Sequence, residues 1–293
     1  MRSPKPNAPE VTAWSAAHSH NGAPEALMVR MCEDLVANDP GVPVDLAVLA
    51  SLQNVLSVEV ADMVEAGCIR VDGDYFRIRL RASDPERRRR FTLAHEICHI
   101  FFETTRISGV VDREVGRYGA KDQVEYLCDI GAAELLLPRS AFVARCPPSP
   151  GFDDVCAMAE EFDASVEATA SRIVALGLGP AHLVVMEPKL TLGQERAVRL
   201  ATEAPSFLGM EAPAPEAKLR VVWSTGSDWF VPRNKSADDG TALAGCIHAG
   251  DIDVVEDPGI TEGRTVRVVG RYLPYWRNDI WIDRVIAFLY SID

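Results

Sequence analysis

Residues 87–103 read RRRRFTLAHEICHIFFE. Two histidines, His95 and His99, stand four apart, and Glu96 directly follows the first. On a helix of 3.6 residues per turn, positions four apart are about 40° apart in projection, so both imidazoles can aim one nitrogen at the same ion. Glu96 sits one step round, within reach of a water on that ion but badly placed to be a third equal ligand. The pattern suits zinc hydrolysis, in which the metal lowers the pKa of a bound water towards about 7. The neighbouring carboxylate takes the proton and passes it to the leaving amine. Asp84-Pro85-Glu86 supplies the helix start, with Asp84 as N-cap, proline at the first helical position and an acid against the dipole. The helix is expected to run to about Glu103.

The competing account is a core helix, since Phe91, Leu93, Ile97, Ile100, Phe101 and Phe102 make this stretch apolar nearly all round. Burying two close histidines and a glutamate is costly unless something compensates them, and a cation does so. Catalytic zinc usually takes three protein ligands, so the third must come from elsewhere in the chain. Glu125 is the best candidate because it opens a helix, EYLCDIGAAELLLP, with Cys128 and Asp129 three and four residues on along the same face. Asp129 is the alternative ligand, but one turn behind a ligand is also where an acid orients a histidine's free N–H. The preferred assignment is Glu125 as ligand and Asp129 as its support. Cys128 could bind zinc as a thiolate, but the preferred reading is a cysteine that packs the helix. Tyr118, in the loop between the two helices, is a candidate hydrogen-bond donor to the oxyanion of the tetrahedral intermediate.

Working outward, RRRFTLAHEICHIFF (88–102) followed by VEYLCDIGAAELLLP (124–138) resembles the ImmA/IrrE metallopeptidases. The resemblance covers roughly residues 25–178. It implies a minimal zincin-like fold, with His95, His99 and Glu125 as zinc ligands and Glu96 as the catalytic acid and base. It also implies a substrate class, helix-turn-helix repressors of the XRE type, whose cleavage derepresses stress-response or mobile-element genes. One departure is Asp129, where the family often has asparagine. Radiation-response members of that family end in a GAF-like sensor domain; for 180–293 the residues themselves specify only a β-rich or α+β domain.

The expected organisation is an α+β chain of four parts. Residues 1–23, rich in Pro, Ser, Ala and Asn, read as a flexible tail. Residues 24–150 form the metallopeptidase domain of helices and a small antiparallel or mixed sheet. Residues 151–179 form a helical, helix-turn-helix-like segment, and 180–293 a sensor or accessory domain. VLSVEV, AGCIRV and YFRIRL read as strands, and the Asp-Gly pair between the last two signals a hairpin. In YFRIRL, Phe76, Ile78 and Leu80 alternate with Arg77 and Arg79, which suggests an edge strand near 75–80 along which an extended substrate would pair.

Composition narrows the partners. With 30 Lys and Arg against 43 Asp and Glu, the net charge of −13 opposes binding to a phosphate backbone or an anionic membrane. The segment 152–178 carries one basic residue, Arg172, against six acids, the wrong balance for a helix that enters the major groove. Arg87 to Arg90 read as a solvated face or as partners of carboxylates. Seven cysteines with no C-x-x-C spacing and a start without an apolar centre point to a reducing, cytoplasmic setting. The leading reading is a zinc endopeptidase of narrow specificity acting on a protein substrate. The alternative is a regulatory ligand-sensing or protein-binding module, with a structural or vestigial metal site and a small-molecule or signal ligand at its C-terminal domain.

Overall fold

The computed structural model describes residues 8–38, 41–107, 123–203, 215–226, 229–277 and 280–292, without the side chains of 105–107, 201–203 and 277. Two compact units emerge: Met1–Arg145 with Ala157–Thr169, and Cys146–Cys156 with Ala170–Asp293.

The first unit contains α1 (Pro9–Ala17), α2 (Pro24–Val36), α3 (Leu46–Leu52), β1 (Val55–Ala61), β2 (Gly67–Asp72), β3 (Tyr75–Arg81), α4 (Glu86–Ile107), α5 (Gln123–Leu136) and α6 (Arg139–Val143). The division between units falls inside α7 (Phe152–Glu161) and α8 (Val166–Ala175). The small sheet has the order β1-β3-β2, with β1 parallel and β2 antiparallel to β3. Its hairpin turns at Gly73, whose φ of 65° a two-residue turn requires and a residue with a Cβ resists. Phe76, Ile78 and Leu80 are buried as their alternation requires, but β3 is the central strand and not an edge. A substrate cannot pair along 75–80, because both sides of β3 are already hydrogen-bonded. Among the described residues, the strand beside α4 with an unpaired side is β2.

Helix α4 packs against β2, β3 and α5, and α5 packs in turn on α2. Gly131 of α5 makes this close approach feasible. A Cβ there would lie 2.5 Å from Cys98 Sγ of α4 and 2.9 Å from Met28 Sδ of α2. Cys32 and Cys98 meet in the same buried seam, Sγ to Sγ 3.9 Å, as packing thiols between helices. The arginine run at the start of α4 finds carboxylates and carbonyls. Arg87 pairs with Glu160 and Asp163, Arg90 with Asp163 and the Val44 carbonyl, and Arg89 donates to the carbonyls of Ala82 and Asp84. The expected N-cap at Asp84 is not made by its side chain, which instead receives Arg81.

Within the expected tail of residues 1–23, of which 1–7 lie outside the described residues, Pro9–Ala17 is instead a helix with Val11 and Trp14 buried and Trp14 against Phe102 at 4.6 Å. One apolar pair at i, i+3 anchors it, too short a run to appear as periodicity. In the second unit, β4 (His182–Lys189), α9 (Leu192–Glu203), β5 (Lys218–Gly226), α10 (Ala242–Ala249), β6 (Asp251–Glu256), β7 (Val266–Tyr272), β8 (Tyr275–Arg277), β9 (Ile280–Ile282) and β10 (Val285–Tyr290) follow in order. Five of these strands make an antiparallel sheet, β5-β4-β10-β7-β6. Its core joins Val184, Met186, Val221, Val268 and Ala287 to Leu243 and Cys246 of α10. On residues 146–156, Pro150 accepts from the Tyr290 hydroxyl at 2.7 Å, and Phe152 stacks on Phe288. Arg271 of β7 grips both Asp251 and Asp153. Among the described residues no helix is long and apolar enough to cross a membrane.

Candidate metal centre and cleft

His95 and His99 project from consecutive turns of α4, and their Nε2 atoms stand 3.1 Å apart. Glu125, in the first turn of α5, faces them. Its Oε2 lies 3.2 Å from His95 Nε2 and its Oε1 3.4 Å from His99 Nε2. Donor atoms around a tetrahedral zinc, with bonds of about 2.0–2.1 Å, stand about 3.3–3.4 Å from one another. The three separations fit that spacing.

The hydrogen bonds explain why these atoms need a cation. Asp129 Oδ1 lies 2.9 Å from His95 Nδ1, which assigns the proton of the neutral ring to Nδ1 and leaves Nε2 as a lone pair. That lone pair confronts a carboxylate oxygen and a second imidazole. Glu125 Oε1 is buried and faces His99 Nε2 at a long 3.4 Å. A buried carboxylate oxygen held this loosely beside imidazole nitrogens is unfavourable unless a proton or a metal ion sits among them. Burial disfavours a charged His95, but the hydrogen bonds to Asp129 and Glu125 together outweigh it and raise this ring to about 9. Those from His95, then His99, hold the Glu125 carboxyl well below the usual carboxylate range. The residues therefore fit a bound divalent cation.

Cys128 also reaches this group, for its Sγ and one nitrogen of each histidine all lie within 4.8 Å of one another. It is wholly buried, and burial, followed by the charges of Glu125, Glu96 and Asp129, pushes the thiol well above its ordinary value. His95, His99 and Cys128 thus form a candidate metal-binding group beside the one that Glu125 makes with the same histidines, and spacing along α5 puts both Glu125 and Cys128 on the face that meets α4.

Glu96 is buried beside the histidines and lines one cleft with His95, His99, Glu125 and Asp129. This cleft holds about 290 Å³ and is bounded on the far side by Glu65, Ala66 and Gly67, with Arg88, Phe91 and Thr92 along α4. The expected members of the site are thus brought together, except that Tyr118 lies outside the described residues. Sequence reasoning singled out neither Gly67 nor Thr92. Their only signal is a glycine at the start of AGCIRV, which gains meaning once β2 is known to be the open strand.

A pair of histidines one turn apart, an acid from a second helix and a strand across the cleft together form a group that can hold a metal ion. Residues 69–174 match the family model Peptidase_M78, the IrrE N-terminal-like domain. No curated protein matches the chain. Among solved structures, a Mycobacterium tuberculosis transcriptional regulator is similar at a TM-score of 0.55 and 12% identity, over 96% of this chain and 80% of that one. At that identity the likeness concerns the mixed α+β fold alone.

Proposed function

We propose that this chain is a zinc-dependent endopeptidase of narrow specificity, with His95, His99 and Glu125 as the metal ligands and Glu96 as the catalytic acid and base. The observation that carries the reading is the convergence of two Nε2 atoms and the buried Glu125 carboxylate, with Glu96 on the same cleft. When bound, zinc supplies a polarised water and draws charge from the scissile carbonyl.

The chain's own residues do the remainder. Glu96 takes the water's proton and returns it to the departing amine. Asp129 fixes the His95 tautomer, keeping Nε2 directed at the metal. An extended substrate segment adds to the open side of β2, where main-chain groups provide affinity without demanding a sequence. Narrow specificity must then come from the substrate's fold, and an XRE-type repressor is the substrate class that the family resemblance suggests. The C-terminal antiparallel sheet supports a GAF-like sensor or accessory role for 180–293.

Incubating the zinc-loaded chain with an XRE-type repressor encoded beside it tests the reading. The wild type is expected to cut the repressor, and Glu96→Gln is expected to retain zinc while losing about 100-fold or more in rate, the scale of general acid–base catalysis. Cleavage by Glu96→Gln at the wild-type rate would sink the mechanism. The second reading is a regulatory module with a structural metal site, as the name of the fold's solved relative, a transcriptional regulator, suggests. It is favoured if zinc binds and no repressor is cut.

A further inference from the structure

Gly67 is the first residue of β2, and β2 is the outer strand of its sheet on the side of the cleft. The backbone hydrogen bond from Arg81 N to Ala66 O, 3.0 Å, sets the alternation along the β2–β3 ladder. In an antiparallel pair, alternate residues turn both N–H and C=O towards the partner strand, and those between turn them away. Ala66 faces β3. Gly67, opposite Leu80, therefore turns its peptide groups to the edge that no described strand occupies, beside the cleft.

The side chain it lacks matters as much. Leu80 is buried on the face that meets α4, and a Cβ on Gly67 would point the same way. That Cβ would lie 2.4 Å from Thr92 Cγ2 and 2.7 Å from Glu96 Oε1, closer than unbonded atoms approach. Gly67 is not among the residues with positive φ, so the position calls for space and not for a left-handed backbone.

We propose that Gly67 is a positioning residue of the cleft. Having no side chain, it lets the edge strand lie directly against Thr92 and Glu96, and its outward N–H and C=O hold a substrate backbone beside the Glu96 carboxylate. The proposal rests on the peptidase reading and adds to it the point on the strand that sets the distance between the substrate backbone and the acid–base group. A misplacement of about 1 Å is enough to cost roughly 100-fold in such a site.

The test compares two zinc-directed probes on the zinc-loaded, full-length chain: acetohydroxamate, which has no peptide backbone, and a hydroxamate carrying two amino-acid residues. Wild type, Gly67→Ala, Thr92→Ser and the double variant are measured for zinc equivalents, melting temperature and affinity for both probes. The wild type is expected to bind the peptidyl probe at least about tenfold more tightly than acetohydroxamate, the scale of one or two main-chain hydrogen bonds. Gly67→Ala is expected to keep its zinc and lose that tenfold gain. Thr92→Ser removes the methyl behind the closest contact, so the double variant is expected to recover melting temperature but not the gain. An undiminished gain in Gly67→Ala overturns the proposal. Full recovery in the double variant does so too, because it reduces Gly67 to packing against Thr92. If zinc-loaded wild type binds neither probe, the peptidase reading falls first and the proposal with it.

Discussion

At the residue scale, His95 is under two opposed demands. Asp129 accepts a hydrogen bond from its Nδ1–H, while Nε2 is left facing Glu125 and His99 at 3.1–3.2 Å. In the metal-free protein a proton answers the second demand, and the ring is held at about 9. Zinc must displace that proton, so its apparent affinity should rise about tenfold per pH unit up to about pH 9 from this ring alone. A chelator competition at pH 7 and pH 8 measures the slope, and a flat response would refute the assignment. The sign for stability is the reverse. A charged His95 stabilises the metal-free fold fully below about 6.5, the ordinary histidine value, and that contribution disappears as pH rises through about 9. Asp129→Ala should weaken zinc binding by about 10–100-fold without unfolding the chain, as loss of an acid behind a histidine ligand does. Unchanged affinity in the same competition would show that His95 does not depend on it.

At the element scale, the site is held by the contact between α4 and α5, and that contact depends on a missing side chain. Gly131→Ala drives a Cβ into Cys98 Sγ and Met28 Sδ, and helices α2, α4 and α5 have no solvent into which either sulfur can turn. Overpacking of this kind costs about 1–3 kcal/mol. Thermal unfolding should show the loss, with weakened zinc binding because α5 also carries Glu125. Helix α4 and its two histidines were legible in the sequence because spacing of 3.6 residues per turn is local. So were Glu125 and Asp129, one turn apart on α5. The edge position of β2 was not, because which strand pairs with which depends on contacts between β1 and β3, far apart in sequence. Alternation in YFRIRL reports a strand with one buried face, and an edge and a centre can share that pattern. Helix α10 was missed for a related reason. Its start is satisfied by Thr241, a local signal, and by Glu256 fourteen residues beyond Ala242, a distant one.

At the scale of the whole molecule, the two units do not divide at a point between elements. Residues 157–169 belong with the first unit: Phe162 packs on Phe142 at 5.4 Å, and Glu160 and Asp163 take the guanidinium groups of Arg87 and Arg90. Residues 146–156 belong with the second, through Phe152 on Phe288 and the Pro150 carbonyl under Tyr290. A shift in composition cannot reveal this, because α7 is one amphipathic helix whose two ends serve different cores. The consequence can be measured with truncated chains. A fragment ending at residue 150 loses Phe162, which is fully buried, and strips the carboxylates from the first turn of the helix that carries His95 and His99. Removing a buried phenylalanine alone costs about 3–5 kcal/mol, a large part of the stability of a domain this size. A fragment ending at residue 179 keeps these contacts. The shorter one should therefore melt lower, or fail to fold, and bind zinc more weakly than the longer one. Equal melting temperatures and equal zinc affinities would show that 157–169 does not support the metal centre.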